Sequence, residues 1–465
     1  MGSGKKIHFI GIGGISMSGI ASLLVDLGFE VSGSDLKDSL LLDELRDKGC
    51  KISIGHDPDN IQNPDEVVMT AAIPEDNVEL VKARELDIPI LKRAQVIARL
   101  MEYKKGIAIG GTHGKTTTTS MVSSMMEKAN FDPTVLVGGR LNDIGGNAKL
   151  GKGDYLVTEA DESDGSFLYF EPLISIVTNI EPDHMDYYGT EEKLKETFVE
   201  FMSNVPEHGA KIVCWDDDII RSLVDPEDKN LITYGTRDDC MIKIDDIEFY
   251  PEYTQFSITI DGEKKGSVTI NSPGMHNIYN SVATLCVGIY LELPFEEIAD
   301  YLSQFEGVGR RFELKGVIDD IQIVDDYGHH PTEIKATLRA AQQKKANRVV
   351  CIFQPHRYSR TLHLKEDFSK AFGDADIILM TGIYSAGEKP IEGVSGRQLA
   401  DMTSEYEKKR VEYFSTLEGI ADKLAEIVEP GDLVITLGAG DVYQVGEELL
   451  SILEDSDLSV KTGSH

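Results

Sequence analysis

The sequence predicts an α/β protein of three domains, each a largely parallel sheet with helices on its faces. Three observations predict this. Short apolar strands alternate with helices along most of the chain, the pattern of successive βα units. Two glycine-rich turns, 11-GIGGISMSG-19 and 110-GGTHGKTTTT-119, each follow a strand and open a helix. A further alternation starts near residue 315, and its polar clusters fall at strand ends. A chain of 465 residues is too long for a single compact core, so division into domains is expected on length alone.

The elements follow in order. IHFIGIGG is strand and loop, SMSGIASLLVDLG a helix closed by Gly28, and EVSGSD a second strand. LLLDELRDKG, KISIG, DEVVMTAAI, NVELVKAREL and IPILK continue the alternation to about residue 103. From 105, KGIAIGG is a strand, THGKTTTTSMVSSMMEKA begins a helix, and DYLVTEADE and LISIVTNIE are buried strands. Residues 241–271 are more polar, with Asp-Gly turns, and read as an antiparallel flap. Two helices follow, near 276–291 and 295–305. IQIVDDY, RVVCIFQP, DIILMTGI, RVEYF and DLVITLGAG are the strands of the last unit. The expected domains are therefore 1–103, 104–314 and 315–465, with a frayed acidic tail from 454.

Composition narrows the function. There are 80 acidic and 46 basic side chains, for a formal net charge of −34. A nucleic acid would be repelled by such a surface, and any anionic substrate must be met by local positive groups. The five cysteines, Cys50, Cys214, Cys240, Cys286 and Cys351, are scattered and form no C-x-x-C, which fits a reducing cytoplasm. No apolar run reaches membrane-spanning length, and MGSGKKIHFIG lacks an apolar signal core.

The stretch GGTHGKTTTT ends as a phosphate-binding loop ends, in Gly114-Lys115-Thr116, but it is one residue shorter than G-x-x-x-x-G-K-[ST], with Ile109 where that signature has glycine. The backbone from Gly111 through Thr112, His113 and Gly114 to Thr117 would present N–H groups to an anion at a helix N-terminus. Lys115 would reach the outer phosphates and the Thr116 hydroxyl a Mg²⁺ ion. Two strands then end in acids: DYLVTEADESD in Glu159, Asp161 and Glu162, and ISIVTNIEPDHMD in Asp183, His184 and Asp186. One such carboxylate would read as solvated surface; two clusters beside a phosphate loop point to metal, with oxygen ligands for Mg²⁺ and a second, looser site at His184.

The first loop, GIGGISMSG, invites a dinucleotide reading with Asp35 on a ribose, but G-x-G-x-x-G would need glycine where Ser16 stands. NAD and other nucleotide diphosphates stay open there. In the last unit, 325-DDYGHHPTEI-334 brings Asp325, Asp326, Tyr327, His329 and His330 to a strand end, and 353-FQPHRYSRT-361 brings His356, Arg357 and Arg360. Arginines three apart on one helical turn would share a face and clamp a carboxylate or phosphate; zinc for the histidines and surface ion pairs for the arginines are the alternatives.

Together these segments, with PGMHNIYNS, GVGRRFE and GAGDVYQVGE, resemble the Mur ligases, the ATP-dependent amide-forming enzymes of peptidoglycan synthesis. The likeness covers nearly the whole chain. The family's phosphate loop has the short G-T-x-G-K-[ST] form, and DYGHHP and FQPHRYSRT resemble the branch that adds the first amino acid. The resemblance implies a Rossmann-like N-terminal domain, a central P-loop ATPase-type α/β domain and a Rossmann-like C-terminal domain. It implies a UDP-sugar on the first, with Gly13, Gly14, Ser16 and Met17 at the diphosphate and Asp35 near the nucleoside.

For ATP it implies Lys115 on the phosphates, Thr116 and Glu159 on one Mg²⁺, and His184 on a second. His276, Asn277 and Asn280 match an H-N-x-x-N motif near the nucleotide, Arg310 and Arg311 would face phosphates, and Tyr327 the adenine. His329, Arg357 and Arg360 would bind L-alanine, with His329 the candidate general base. The implied reaction joins L-alanine to the lactyl carboxylate of UDP-N-acetylmuramate through an acyl phosphate. It belongs to cell-wall synthesis, and so to cell shape and division, in the cytoplasm, carried out by a monomer or homodimer. The rivals are a sister ligase that attaches a recycled tripeptide, an NAD-dependent oxidoreductase and a non-catalytic nucleotide-binding regulator.

Overall fold

The computed structural model describes residues 4–70, 73–141 and 144–462. The chain forms two compact units: one of Met1–Asp246, Phe256–Val268 and Tyr279–Phe305, the other of Ile247–Gln255, Thr269–Ile278 and Glu306–His465. The described residues form three sheets.

The first sheet comprises β1 (Lys6–Ile10), β2 (Glu30–Asp35), β3 (Lys51–Ile54), β4 (Glu66–Met69) and β5 (Ile90–Lys92). Their order is β3-β2-β1-β4-β5, with every pairing parallel. In the central strand β1 four consecutive residues, Ile7 to Ile10, are buried, as expected where helices cover both faces of a parallel sheet. The helices are α1 (Ile15–Asp26), α2 (Leu40–Asp47), α3 (Val78–Glu85) and α4 (Arg93–Met101). Gly28 takes φ +88° after α1, the left-handed position that ends many helices. Helix α4 lies in RAQVIARLM, which the sequence reading left unassigned after IPILK.

The second sheet has ten strands. β6 (Lys105–Gly110), β7 (Thr134–Leu141), β8 (Gly146–Lys149), β9 (Tyr155–Glu159) and β10 (Ile174–Val177) come first in the chain. β11 (Ala210–Cys214), β12 (Leu231–Gly235), β13 (Ile242–Phe249), β14 (Thr254–Ile260) and β15 (Glu263–Ile270) complete it. The order is β15-β14-β13-β12-β11-β10-β6-β9-β7-β8. The expected flap at 241–271 is thus three further strands of the central sheet, joined to it where Tyr234 pairs in parallel with Ile242. The edge of β12 has backbone groups that need partners, and β13 supplies them. The helices here are α5 (Lys115–Lys128), α6 (Met185–Tyr188), α7 (Glu191–Ser203), α8 (Asp218–Leu223), α9 (Met275–Tyr290) and α10 (Phe295–Ser303). One apolar cluster runs from Phe9, Ile20 and Leu24 of the first sheet and its helix to Leu136, Phe167, Phe198 and Phe201 of the second.

The third sheet contains β16 (Glu313–Ile318), β17 (Ile321–Asp326), β18 (Val349–Phe353), β19 (Ile377–Met380), β20 (Val411–Tyr413) and β21 (Leu433–Leu437). Its order is β16-β17-β21-β18-β19-β20, with β16 antiparallel at the edge. Around it lie α11 (Pro331–Gln343), α12 (Tyr358–Ser369), α13 (Gly396–Glu407), α14 (Ile420–Ile427) and α15 (Tyr443–Thr462). Separate apolar clusters cover the two faces, one around Phe353, Phe368 and Phe372, the other around Ile352, Leu424 and Val434. The last helix, α15, runs to Thr462, and no proline interrupts YQVGEELLSILEDSDLSVKT. No helix among the described residues is long and apolar enough to cross a membrane.

Candidate active site

Strand β6 ends at Gly110, the loop turns through residues 111–114, and α5 begins at Lys115. Gly111 and Gly114 take φ of +125° and +83°. A Cβ on Gly111 would lie 2.2 Å from the Thr178 hydroxyl oxygen, and one on Gly114 2.5 Å from Asn280 Oδ1. Both positions therefore require glycine on conformation and on space. The loop is braced from the end of β10: Thr112 N–H donates to Asn179 O at 3.0 Å and His113 N–H to Asn179 Oδ1 at 2.8 Å. Thr178 Oγ1 donates to His113 O at 2.6 Å. The N–H groups of residues 112 and 113 are thus engaged within the protein. The first intrahelical bond runs from Thr118 N–H to Gly114 O, so the N–H groups of Lys115, Thr116 and Thr117 precede the helical ladder, where an anion can accept them.

The Lys115 ammonium donates to Glu162 Oε1 and Oε2 at 2.9 and 2.8 Å, to Gly111 O at 2.6 Å and to Thr112 O at 3.1 Å. Burial disfavours its charge, but Glu162, Asp161 and Glu159 together raise Lys115 above its ordinary pKa. Glu162 is 2% exposed; burial raises it against the pull of Lys115.

The three carboxylates at the end of β9 serve different partners. Glu159 Oε1 accepts Gly138 N–H at 2.7 Å. Asp161 pairs with Arg93 of α4 at 2.7 Å and accepts Ser163 N–H at 3.1 Å. Glu162 takes Lys115. His184, in the left-handed region at φ +55°, sets its Nε2 3.9 Å from Glu162 Oε1 and 3.7 Å from Asp183 Oδ2. The side chain of Asp186 lies outside the described residues. Of the groups expected at a metal, the structure brings His184 near Glu162 and Asp183, while Glu159 is taken by Gly138 N–H and Asp161 by Arg93; carboxylate oxygens with one imidazole are donors of the kind Mg²⁺ accepts. The glycine cradle, the lysine and the helix N-terminus suit a polyphosphate.

In the first loop, Gly13 N–H donates to Asp35 Oδ2 at 2.8 Å, and a Cβ on Gly13 would lie 2.9 Å from that oxygen. Asp35 is therefore pinned to the loop itself. The Met17 side chain is 3% exposed and belongs to the core, so at the loop Met17 offers its backbone. The Ser18 N–H to Gly14 O bond starts the ladder of α1, placing the N–H groups of Ile15, Ser16 and Met17 ahead of it.

A neighbouring cluster escaped the sequence reading. The buried Glu79 carboxylate accepts Ser34 Oγ at 2.6 Å, Asn60 Nδ2 at 2.6 Å and Asp57 N–H at 3.1 Å, and lies 3.4 Å from His8 Nε2. Burial opposes its charge, but these bonds bring Glu79 down to about 2. Its local sequence, NVELVKAREL, shows an ordinary acid in the first turn of a helix.

In the C-terminal unit, Asp325 accepts Thr436 Oγ1 at 2.7 Å and Arg310 Nε at 3.0 Å. Asp326 accepts N–H groups of Gly328 and Phe312, both at 2.8 Å, and burial pushes it up to about 6. The Arg310 guanidinium lies over the rings of Tyr327 and Tyr443 at 5.0 and 4.8 Å and donates to Gly438 O at 2.7 Å. Arg311 lies 5.0 Å from the Tyr327 ring. On α9, Asn277 Nδ2 donates to Pro273 O, while Asn280 Oδ1 accepts the Thr118 hydroxyl.

His329 Nδ1 is 3.0 Å from Tyr327 O. A carbonyl can only accept, so Nδ1 carries the proton and Nε2 the lone pair. Burial lowers His329 to about 3, His356 to about 4 and His276 to about 4, so all three are neutral at neutral pH. Glu333 accepts the N–H groups of both His329 and His330, capping α11. Arg360 Nη1 is 3.4 Å from His356 Nδ1. Arg357 is exposed and is the N-cap of α12, at φ +69° and ψ 138°. The expected shared helical face of Arg357 and Arg360 does not follow from spacing, because Arg357 precedes the helix.

Comparison with known proteins agrees with this architecture. Residues 6–105 match the Mur ligase family catalytic domain, 109–288 the Mur ligase middle domain, and 310–440 the Mur ligase glutamate ligase domain. The chain is 49% identical over 450 residues to the UDP-N-acetylmuramate–L-alanine ligase of Geotalea uraniireducens, covering 97% of this chain and 98% of that one. It is 46% identical over 459 residues to the ligase of the same name from Desulforamulus reducens, covering 98% and 99%. The crystal structure of the UDP-N-acetylmuramate-alanine ligase from Thermotoga maritima superposes with a TM-score of 0.84 at 28% identity, covering 97% of this chain and 99% of that one. The chain belongs to the Mur ligase family and is an ATP-dependent ligase of peptidoglycan precursor synthesis.

Proposed function

We propose that this ligase joins L-alanine to the lactyl carboxylate of UDP-N-acetylmuramate, with ATP and Mg²⁺, in the cytoplasm. The observation that carries the reading is the loop at the start of α5, where Lys115 pairs with the buried Glu162 beside two glycines whose positions admit no Cβ. The relatives named above support the choice of sugar nucleotide and amino acid. The domain limits proposed are 1–103 for the UDP-sugar, 104–314 for ATP and 315–465 for the amino acid.

A carboxylate is a poor electrophile, so the lactyl group must first be activated as an acyl phosphate. Lys115 and the N–H groups of residues 115–117 bind and orient the transferring phosphoryl group. Thr116 and Glu159 would hold one Mg²⁺ and His184 a second, and the ions when bound would offset charge on the phosphates. Arg357 and Arg360 hold the alanine carboxylate. His329 Nε2 is a neutral acceptor and takes a proton from the attacking amine.

The test is phosphate release from ATP with UDP-N-acetylmuramate, with and without L-alanine. Release that depends on alanine is the expected result. Release driven by a tripeptide and not by alanine would move the assignment to the sister ligase.

A further inference from the structure

We propose that Glu162 is a positioning residue: a fixed counter-ion that holds the Lys115 ammonium on its loop before nucleotide binds and competes with the nucleotide phosphates for it. The proposal rests on the nucleotide reading of this loop.

The contact is built, not incidental. Both Glu162 oxygens receive Lys115, at 2.9 and 2.8 Å, and the carboxylate is 2% exposed. Its backbone is anchored twice, since Gly165 N–H and the Tyr188 hydroxyl both donate to Glu162 O. Ala160, two residues before it, is tied to β6 through Ile109 O. The Glu162 backbone is therefore held in place, and its carboxylate is enclosed beside Lys115. Lys115 has the longer side chain, with four rotatable methylenes, and its ammonium also donates to Gly111 O and Thr112 O.

Two opposed consequences follow. A phosphate at the N-terminus of α5 must take Lys115 while facing the enclosed Glu162 carboxylate. Without a metal ion to offset it, that fixed charge weakens nucleotide binding. The same charge stops the lysine from wandering, and so keeps it aligned during phosphoryl transfer. Removing the charge should therefore strengthen metal-free binding and weaken turnover, whereas a merely structural residue would weaken both.

The experiment titrates ADP in EDTA into full-length wild type, Glu162→Gln and Glu162→Asp by calorimetry, and measures kcat with Mg²⁺. E162Q is expected to bind metal-free ADP about threefold tighter or more, the least that one unit charge at a few ångströms contributes even at the dielectric of water. Its kcat should fall roughly tenfold, as alignment is lost. E162D keeps the charge and should bind metal-free ADP as wild type does, with turnover between the two. E162Q binding no tighter than wild type, or turning over as fast, overturns the proposal while the nucleotide reading stands. Wild type binding no ADP at all overturns both. Thermal unfolding of the ligand-free proteins gives a second measure. K115M leaves the buried Glu162 carboxylate, and E162Q the part-buried Lys115 ammonium, without its charged partner, so each should melt below the K115M/E162Q double variant; a double variant melting below both overturns the clamp.

Discussion

Arg93 and Asp161 form an ion pair of 2.7 Å that ties the first residue of α4 to the end of β9, one residue before the Glu162 that receives Lys115. Burial opposes the charge on Asp161, but Arg93 and Lys115 hold its carboxyl well below the usual range. A depressed carboxyl stabilises the fold above its unfolded pKa, and this contribution is lost as pH falls below it. Arg93→Ala or Asp161→Asn should each lower the unfolding free energy at neutral pH by roughly 1–3 kcal/mol, since each leaves a partly buried partner unsatisfied. The double variant should lose less than the sum. Urea unfolding of the four proteins measures the coupling, and strict additivity would remove the pair from the account.

Glu79 gives a sharper pH dependence. It falls from an ordinary 4.5 to about 2 in the fold. Its stabilisation is complete above about 4.5 and is lost as pH drops toward 2, amounting to about 3 kcal/mol at neutral pH. Glu79→Gln should therefore be less stable than wild type at pH 7, and the gap should shrink by pH 3. Urea midpoints at the two pH values test this. A constant gap would mean that the Ser34 and Asn60 bonds do not depend on the charge.

Gly111→Ala and Gly114→Ala should each cost about 1–3 kcal/mol through backbone strain and raise the nucleotide Kd at least roughly tenfold, since the loop must shift. The new Cβ atoms would lie 2.2 and 2.5 Å from Thr178 and Asn280. Gly262→Ala is the control: φ there is +78° with open space around the Cβ, so stability should fall while nucleotide binding holds. Calorimetric titration of ADP reads the difference, and unimpaired binding by G111A would discount the cradle.

What could be read from the sequence was local. KGIAIGG passing into THGKTTTT, and Gly28 after the first helix, carry their own turn chemistry, and β6, α5 and α1 lie where those signals put them. What could not be read depends on residues far apart in the chain. Glu79 gains its partners from Ser34, Asn60 and His8, up to 71 positions away. The 241–271 strands join the central sheet because the edge of β12 is open to them, which nothing within 241–271 announces. Met17 sits between polar neighbours in SMSG, and its burial comes from the helix face it occupies. Asp161 and Glu162 are adjacent acids with the same local signature, and their distant partners Arg93 and Lys115 give them different tasks.

His276, His329 and His356 should stay neutral throughout the range where imidazoles usually titrate. Burial holds them at about 4, 3 and 4. A base depressed in the fold destabilises it as pH falls below the unfolded value near 6.5, because the unfolded chain takes up the protons first. Histidine NMR should show flat shifts from pH 5 to 8 for these three imidazoles. The pH profile of kcat/KM should lack an inflection from His329 in that interval. An inflection near 6.5 that vanishes in His329→Asn would show a solvated imidazole instead.

Arg357 combines a strained backbone with an exposed charge, and the two can be separated. At φ +69° and ψ 138° its conformation suits glycine. Strain kept at a polar, exposed residue argues that the side chain is needed there. Arg357→Gly should relieve the strain and, after allowing for the greater freedom of glycine when unfolded, stabilise the protein by about 1 kcal/mol. Arg357→Ala retains the Cβ and should gain nothing. Both remove the guanidinium, so both should raise the KM for L-alanine by at least roughly tenfold, the scale of a charge-assisted pair to a carboxylate. The KM for ATP should change by less than about twofold, because uniform loss of one substrate's binding leaves the other untouched. Thermal melts and steady-state kinetics on the two variants suffice. Equal stability would show that the local backbone carries no strain, and an unchanged alanine KM would take Arg357 out of the amino-acid pocket.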